Sequence, residues 1–226
     1  DGEPQALWVF KHTLAELQKI KDANSTVFET QYMQNPTPLE GLMYGAFKTY
    51  DTMPITKTKI RKNYTDTADT GADFLCSINY VETEIGNFVT DVLYTDKPME
   101  YTEPMVADQL SREYGGIRVA TASIESNNGG RGFARAVQRM APSTKVEWFH
   151  QSGNKEARIL SNSATALHLL RFPRGWQQRW RDLYTHLTTY RRTFHSNRWH
   201  DAADVVTGIV EHQAGNHIRK GKYIGR

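Results

Sequence analysis

The sequence predicts an α/β fold in which one mixed central sheet is flanked by helices, and three observations lead there. Three strand-like segments joined by turn residues follow one another near the middle of the chain. Helix-like and strand-like segments then alternate. At 226 residues, 38% hydrophobic and 11% aromatic, the chain has material for one sizeable core, or a core with an appended arm, and is too apolar to stay disordered.

In order along the chain, EPQALWVFKHTLAELQKIKDA sets Leu7, Phe10, Leu14 and Leu17 at helical spacing, which predicts an amphipathic helix over residues 4–22. QNPTPLEG follows as a turn-rich linker, so residues 1–45 read as a helix plus linker and residues 46–226 as the main domain. Strands are predicted over 58–66, 73–83 and 87–95. In the second of them Phe74, Cys76, Ile78 and Tyr80 alternate with Leu75, Ser77, Asn79 and Val81. The turns DTADTGAD and ETEIGN join the three as a meander. TEPMVADQLSREY then fits a helix, IRVATASI a strand, GFARAVQRM a helix, TKVEWF a strand and NKEARILSNSATALHLL a long helix. The order β-β-β-α-β-α-β-α is the one from which the ribonuclease-H-like fold is built. In RFPRGWQQRWRDLYTHLTTYRRTF, aromatics interleave with Arg, and Trp176, Trp180, Leu183 and Leu187 read as a helical apolar face. HDAADVVTGIVEH closes the pattern as a last helix.

Net charge is +3, but residues 1–113 carry 10 Lys and Arg against 18 Asp and Glu, while residues 114–226 carry 18 against 7. A basic half beside an acidic one suggests a polyanionic partner, with carboxylates kept for metal. Cys76 is the only cysteine, so neither a disulfide within the chain nor a cysteine zinc cluster can form, which suits a reducing compartment. With no signal segment and no apolar run long enough to span a bilayer, the expectation is a soluble intracellular protein that does not meet membranes.

In a ribonuclease-H-like order the first and fourth predicted strands lie side by side. The first ends at Asp66 and the fourth at Glu125, while Asp201 and Asp204 share one face of the first turn of the last helix. Four carboxylates converging at one end of the sheet would repel one another unless cations sit among them, and hard oxygen ligands suit Mg2+ or Mn2+. Each acid also has an ordinary structural role open to it: Asp66 beside a Gly-containing turn, Glu125 or Asp201 at a helix N-terminus. Burying Glu125 at the end of an apolar strand costs several kcal/mol unless a metal or a base compensates.

The segments FETQYMQNPTPLEG, YTDTADTGADFLCSI, IESNNGGRGFARAV, NKEARILSNS and DAADVVTGIVE occur in order over roughly residues 26–212. Together they resemble the C-terminal nuclease domain of the large terminase subunit of tailed bacteriophages and prophages. The resemblance implies a ribonuclease-H-like endonuclease of a viral DNA-packaging motor. It would bind two divalent cations, Mg2+ or Mn2+, and cut concatemeric phage DNA when packaging starts and ends, in the cytoplasm of the bacterial host. Matched by position, it implies Asp66 as the ligand shared by both ions, Glu125 and Asp204 as terminal ligands, and Asp201 as a further ligand or proton-handling group. Implied partners are double-stranded DNA, the packaging ATPase domain of the same subunit, the small terminase subunit and the portal of the procapsid. A phosphate-binding loop of the GxxxxGK[ST] type is absent, so the piece reads as a nuclease domain taken from its ATPase.

For DNA contacts, Arg131, Arg135 and Arg139 recur every four residues on one helix face, and Lys155 and Arg158 share another. The amides of SNNGG, at the start of a helix, are placed to meet a phosphate. Two other readings use the same residues: a transposase, integrase or resolvase of the same fold, and a non-catalytic module docking DNA or the portal.

Overall fold

The computed structural model describes Thr13, Glu16, Leu17 and residues 41–68, 73–126, 130–215 and 220–221. The chain divides into two units, Asp1–Gly41 and Leu42–Arg226. In the first, Thr13 and Glu16 form a reciprocal capping box. The Thr13 N–H donates to Glu16 Oε2 at 2.9 Å and the Glu16 N–H to Thr13 Oγ1 at 3.3 Å. The rest of the helix predicted over 4–22, and the linker after it up to Gly41, lie outside the described residues.

The second unit is built on an eight-stranded mixed sheet whose strands, in spatial order, are residues 48–50 (β1), 170–173 (β7), 86–95 (β4), 75–83 (β3), 60–66 (β2), 119–125 (β5), 145–149 (β6) and 220–221 (β8). The predicted meander is β2 (Ile60–Asp66), β3 (Leu75–Thr83) and β4 (Gly86–Thr95), antiparallel throughout. Helix α1 (Met99–Ser111) then carries the chain to β5 (Val119–Glu125), which lies parallel to β2. After α2 (Gly130–Met140) comes β6 (Lys145–Phe149), parallel to β5. Helix α3 (Lys155–Leu169) follows, and α6 (Asp201–Ala214) is the last helix. This is the mixed α/β, ribonuclease-H-like architecture that the element order predicts.

Four details depart from the sequence reading. Helix α1 begins three residues earlier than TEPM suggests, leaving Pro104 inside it, where the proline has no N–H to give to the ladder. The short strands β1 (Lys48–Tyr50) and β7 (Leu170–Pro173) pair in parallel at one edge and are too brief to leave a periodic signal. The Trp-rich segment is two helices, α4 (Trp176–Arg179) and α5 (Arg181–Thr188), separated at Trp180 by a non-helical backbone with φ −130° and ψ 62°. A two-residue β8 (Lys220–Gly221) lies antiparallel to β6.

Both faces of the sheet are covered, and the alternation in β3 shows how. Cys76, Ile78 and Tyr80 join one core with Tyr64, Ile159, Leu183, Leu187, Val205 and Ile209, beneath α3, α5 and α6. Leu75 joins the other with Val106, Leu110, Ile124, Phe133 and Val137, beneath α1 and α2. Between them on that second face lie Ser77 and Asn79, polar yet fully buried. The Asn63 amide donates to Ser77 Oγ and to Asn79 Oδ1, each at 2.8 Å, Ser77 Oγ donates to Gln109 Oε1 at 2.7 Å, and the Asn79 amide donates to the Gln109 carbonyl at 3.0 Å. A satisfied network of this kind fixes the register of α1 on the sheet, since each partner left unpaired would cost about 1–3 kcal/mol.

Candidate metal centre

Strand pairing builds the centre. Thr65 of β2 stands opposite Ile124 of β5, so the residues that follow, Asp66 and Glu125, emerge side by side at the same end of two parallel strands. Helix α6 crosses the β2 face with Gly208 against Tyr64. A Cβ on Gly208 would fall 2.1 Å from the Tyr64 ring, so only glycine permits this approach. One turn before Gly208, Asp204 reaches the strand ends. Asp66, Glu125 and Asp204 thus offer carboxylate oxygens that all lie within 4.8 Å of one another. On the opposite side, Gly130 opens α2 so close to the end of β5 that a Cβ there would sit 2.3 Å from the Glu125 carbonyl oxygen.

Lying this close to each other and to Asp204, Asp66 and Glu125 both have raised proton affinity. Burial, then the charges of Glu125 and Asp204, hold the Asp66 carboxyl well above the usual range. Glu125 is pushed up to about 7, first by burial and then by Asp204. Two cations answer this. The Lys155 ammonium lies 2.9 Å from Asp204 Oδ2, and Arg158 Nη1 lies 2.9 Å from Asp204 Oδ1. For Lys155 the burial penalty is outweighed by Asp204 and Asp66, so its pKa is raised.

Asp201 is not in this group. It is the first residue of α6 and buried, and its Oδ2 accepts the Phe74 N–H at 3.2 Å. Phe74 in turn stacks on Tyr94 and meets Trp199 edge-on, so Asp201 ties the start of α6 to the aromatic cluster beside β3. The N-cap of the helix is His200, whose side chain makes no capping bond. Asp201 therefore acts within the first turn rather than as the cap.

The basic candidates fall into two classes. Arg131, Arg135 and Arg139 are exposed along α2, with Arg131 lying 4.5 Å over the Trp148 ring. Lys155 and Arg158 instead turn inward to carboxylates; the Arg158 side chain is 12% exposed. Of the SNNGG turn, Asn127, Asn128 and Gly129 lie outside the described residues. Ser126 Oγ and N–H both donate to the Phe149 carbonyl, at 2.7 and 2.8 Å.

Sequence reasoning passed over Glu211, which accepts from both Nε and Nη2 of Arg158. The signal was present: Asp204, Gly208 and Glu211 follow the i, i+4, i+7 spacing of one helix face.

No protein-family model matches the sequence, and no curated protein does. Solved structures do match in shape. The large terminase of a thermophilic bacteriophage aligns with TM-score 0.54 and 11% identity over 89% of this chain, which spans 52% of that one. The fold is that of the terminase nuclease domains. Within that fold the chain is also similar to the human cytomegalovirus terminase nuclease domain, Mn-soaked and inhibitor-bound (TM-score 0.51, 11% identity, 74% of this chain and 88% of that chain). The P22 large terminase nuclease domain aligns with TM-score 0.50 and 8% identity, over 79% of this chain and 94% of that chain. In the terminase nuclease fold as this chain adopts it, the carboxylate centre sits where β2, β5 and the first turn of α6 meet.

Proposed function

We propose that the chain is a metal-dependent DNA endonuclease of a viral packaging motor. The observation that carries this reading is the convergence of Asp66, Glu125 and Asp204 within 4.8 Å. A divalent cation fits these residues on the chemistry of the donors: hard carboxylate oxygens, drawn together from three elements, two with raised proton affinity that a dication would relieve. Asp66, Glu125 and Asp204 are the residues that would hold Mg2+ or Mn2+, two ions in this reading. When bound, such ions lower the pKa of a water and stabilise the leaving oxygen of a phosphodiester.

The chain's own residues supply the rest. Lys155 and Arg158 offset part of the charge on Asp204, Asp201 anchors the helix that carries Asp204, and the α2 arginines receive backbone phosphates without reading sequence. Likeness to a phage large terminase, of which the chain spans about half, supports a packaging ATPase domain as its partner in the same subunit, acting in the host cytoplasm with the small subunit and portal. No helix among the described residues is long and apolar enough to cross a membrane.

The test is conversion of supercoiled plasmid to nicked and linear forms with EDTA, Mg2+ or Mn2+, comparing wild type with Asp66→Asn and Glu125→Ala. Cutting that requires metal and is lost in both folded variants is expected. Equal cutting in EDTA, or by the variants, would refute the assignment.

A further inference from the structure

Glu211 lies two turns along α6 from Asp204, half-buried beneath α3 and gripped from several sides. Its Oε2 accepts from Gln151 Nε2 at 2.8 Å and from Arg158 Nη2 at 2.7 Å. Arg158 Nε lies 3.1 Å from both of its oxygens, and Asn162 Nδ2 lies 3.4 Å from Oε1. The third guanidinium nitrogen, Nη1, goes to Asp204 Oδ1 at 2.9 Å. All three Arg158 nitrogens thus donate to two carboxylates at low exposure, so the guanidinium is turned inward to Glu211 and Asp204.

We infer that Glu211 is a positioning residue, acting through Arg158 on Asp204; this rests on the metal-dependent reading above. Two effects follow from its place. Bidentate pairing with Glu211 fixes the plane and reach of the guanidinium, so that Asp204 is held in one rotamer facing Asp66 and Glu125. Glu211 also balances the Arg158 charge. Without it, a full positive charge would be aimed at Asp204 alone and would compete with any dication for that carboxylate. A lysine in place of Arg158 keeps the charge but cannot bridge both acids, so the coupling depends on the fork.

Affinity for Mn2+ alone, measured by electron paramagnetic resonance of the free ion, and affinity for duplex DNA in EDTA together test this on the full chain. Glu211→Gln and Arg158→Lys are each expected to weaken Mn2+ binding about 10- to 100-fold while duplex affinity in EDTA stays unchanged. Should Glu211→Gln fail to fold, Arg158→Lys and Gln151→Ala read the same coupling from its other members. Unchanged Mn2+ affinity in the folded variants, with only thermal stability lowered, would reduce Glu211 to a structural ion pair and overturn the proposal. Loss of duplex affinity with Mn2+ binding intact would also overturn it, by making Arg158 a phosphate ligand. A wild-type chain that binds no Mn2+ would instead bring down the metal-dependent reading itself, and is told apart by the wild-type sample alone.

Discussion

At the scale of single residues the centre is an electrostatic problem whose sign can be worked out. Glu125 has its pKa raised from 4.5 to about 7, so the folded chain holds this proton more tightly than the unfolded chain. Between those values the unfolded state binds fewer protons, and stability falls as pH rises. The metal-free protein should therefore be most stable, as far as this group is concerned, below about pH 4.5, and lose up to about 3 kcal/mol as pH passes 7. Asp66 adds to the same slope, since its pKa is also raised. Metal must displace those protons, so the rise in melting temperature on adding Mn2+ is expected to grow between about pH 5 and pH 8. Differential scanning fluorimetry with and without Mn2+ across that range checks it, and a pH-independent increment would mean that these carboxylates are not the ones bound. Asp66 and Glu125 were legible in the sequence because both terminate strands whose pairing follows from element order. The separate uses of Asp201 and Asp204 were not: both sit in one helical turn, and they are set apart only by what packs there, the Phe74 N–H on Asp201 and Lys155 and Arg158 on Asp204.

At the scale of elements the distance between α6 and β2 decides whether Asp204 reaches Asp66. That distance is set by Gly208 on the Tyr64 ring. In an exposed helix Gly→Ala stabilises by up to about 1 kcal/mol, so the sign of this substitution is informative. Here the added methyl meets an aromatic ring that is itself fully buried, and Gly208→Ala is expected to destabilise by about 1–3 kcal/mol. The helix would also be pushed off the strand ends, and Mn2+ affinity lowered with it. Urea unfolding gives the first quantity; an unchanged or raised midpoint would mean the helix has room to spare and something else sets the spacing. The sequence carried the elements well where periodicity was long, as in β3 and α3. It failed at β1 and β7, three and four residues that become strands because β7 pairs along β4 and β1 along β7. The break at Trp180 was equally hidden, because an apolar face of Trp176, Trp180, Leu183 and Leu187 reads the same whether one helix or two present it.

At the scale of the whole molecule, charge asymmetry resolves into two separate uses. Part of the basic surplus turns inward, as Lys155 and Arg158 do, while Arg131, Arg135 and Arg139 stay exposed on α2 and make no salt bridge among the described residues. Replacing Arg131 and Arg135 by Gln is expected to weaken duplex binding and to flatten the slope of log affinity against log salt by about two, one for each arginine that no longer neutralises a phosphate. Fluorescence anisotropy at several salt concentrations reads this, and an unaltered slope would take α2 out of the DNA surface. The pattern of charge along the sequence pointed to a polyanion but could not sort the two uses, because inward and outward arginines look alike until the helices are placed. Finally, the three acids of the centre come from the end of β2, the end of β5 and the last helix, stretches far apart in the chain and joined only through a parallel pairing and a docked helix. Pairings of such long range form late in folding. A nascent chain on the ribosome thus carries no assembled carboxylate centre until residue 204 has emerged and α6 has docked.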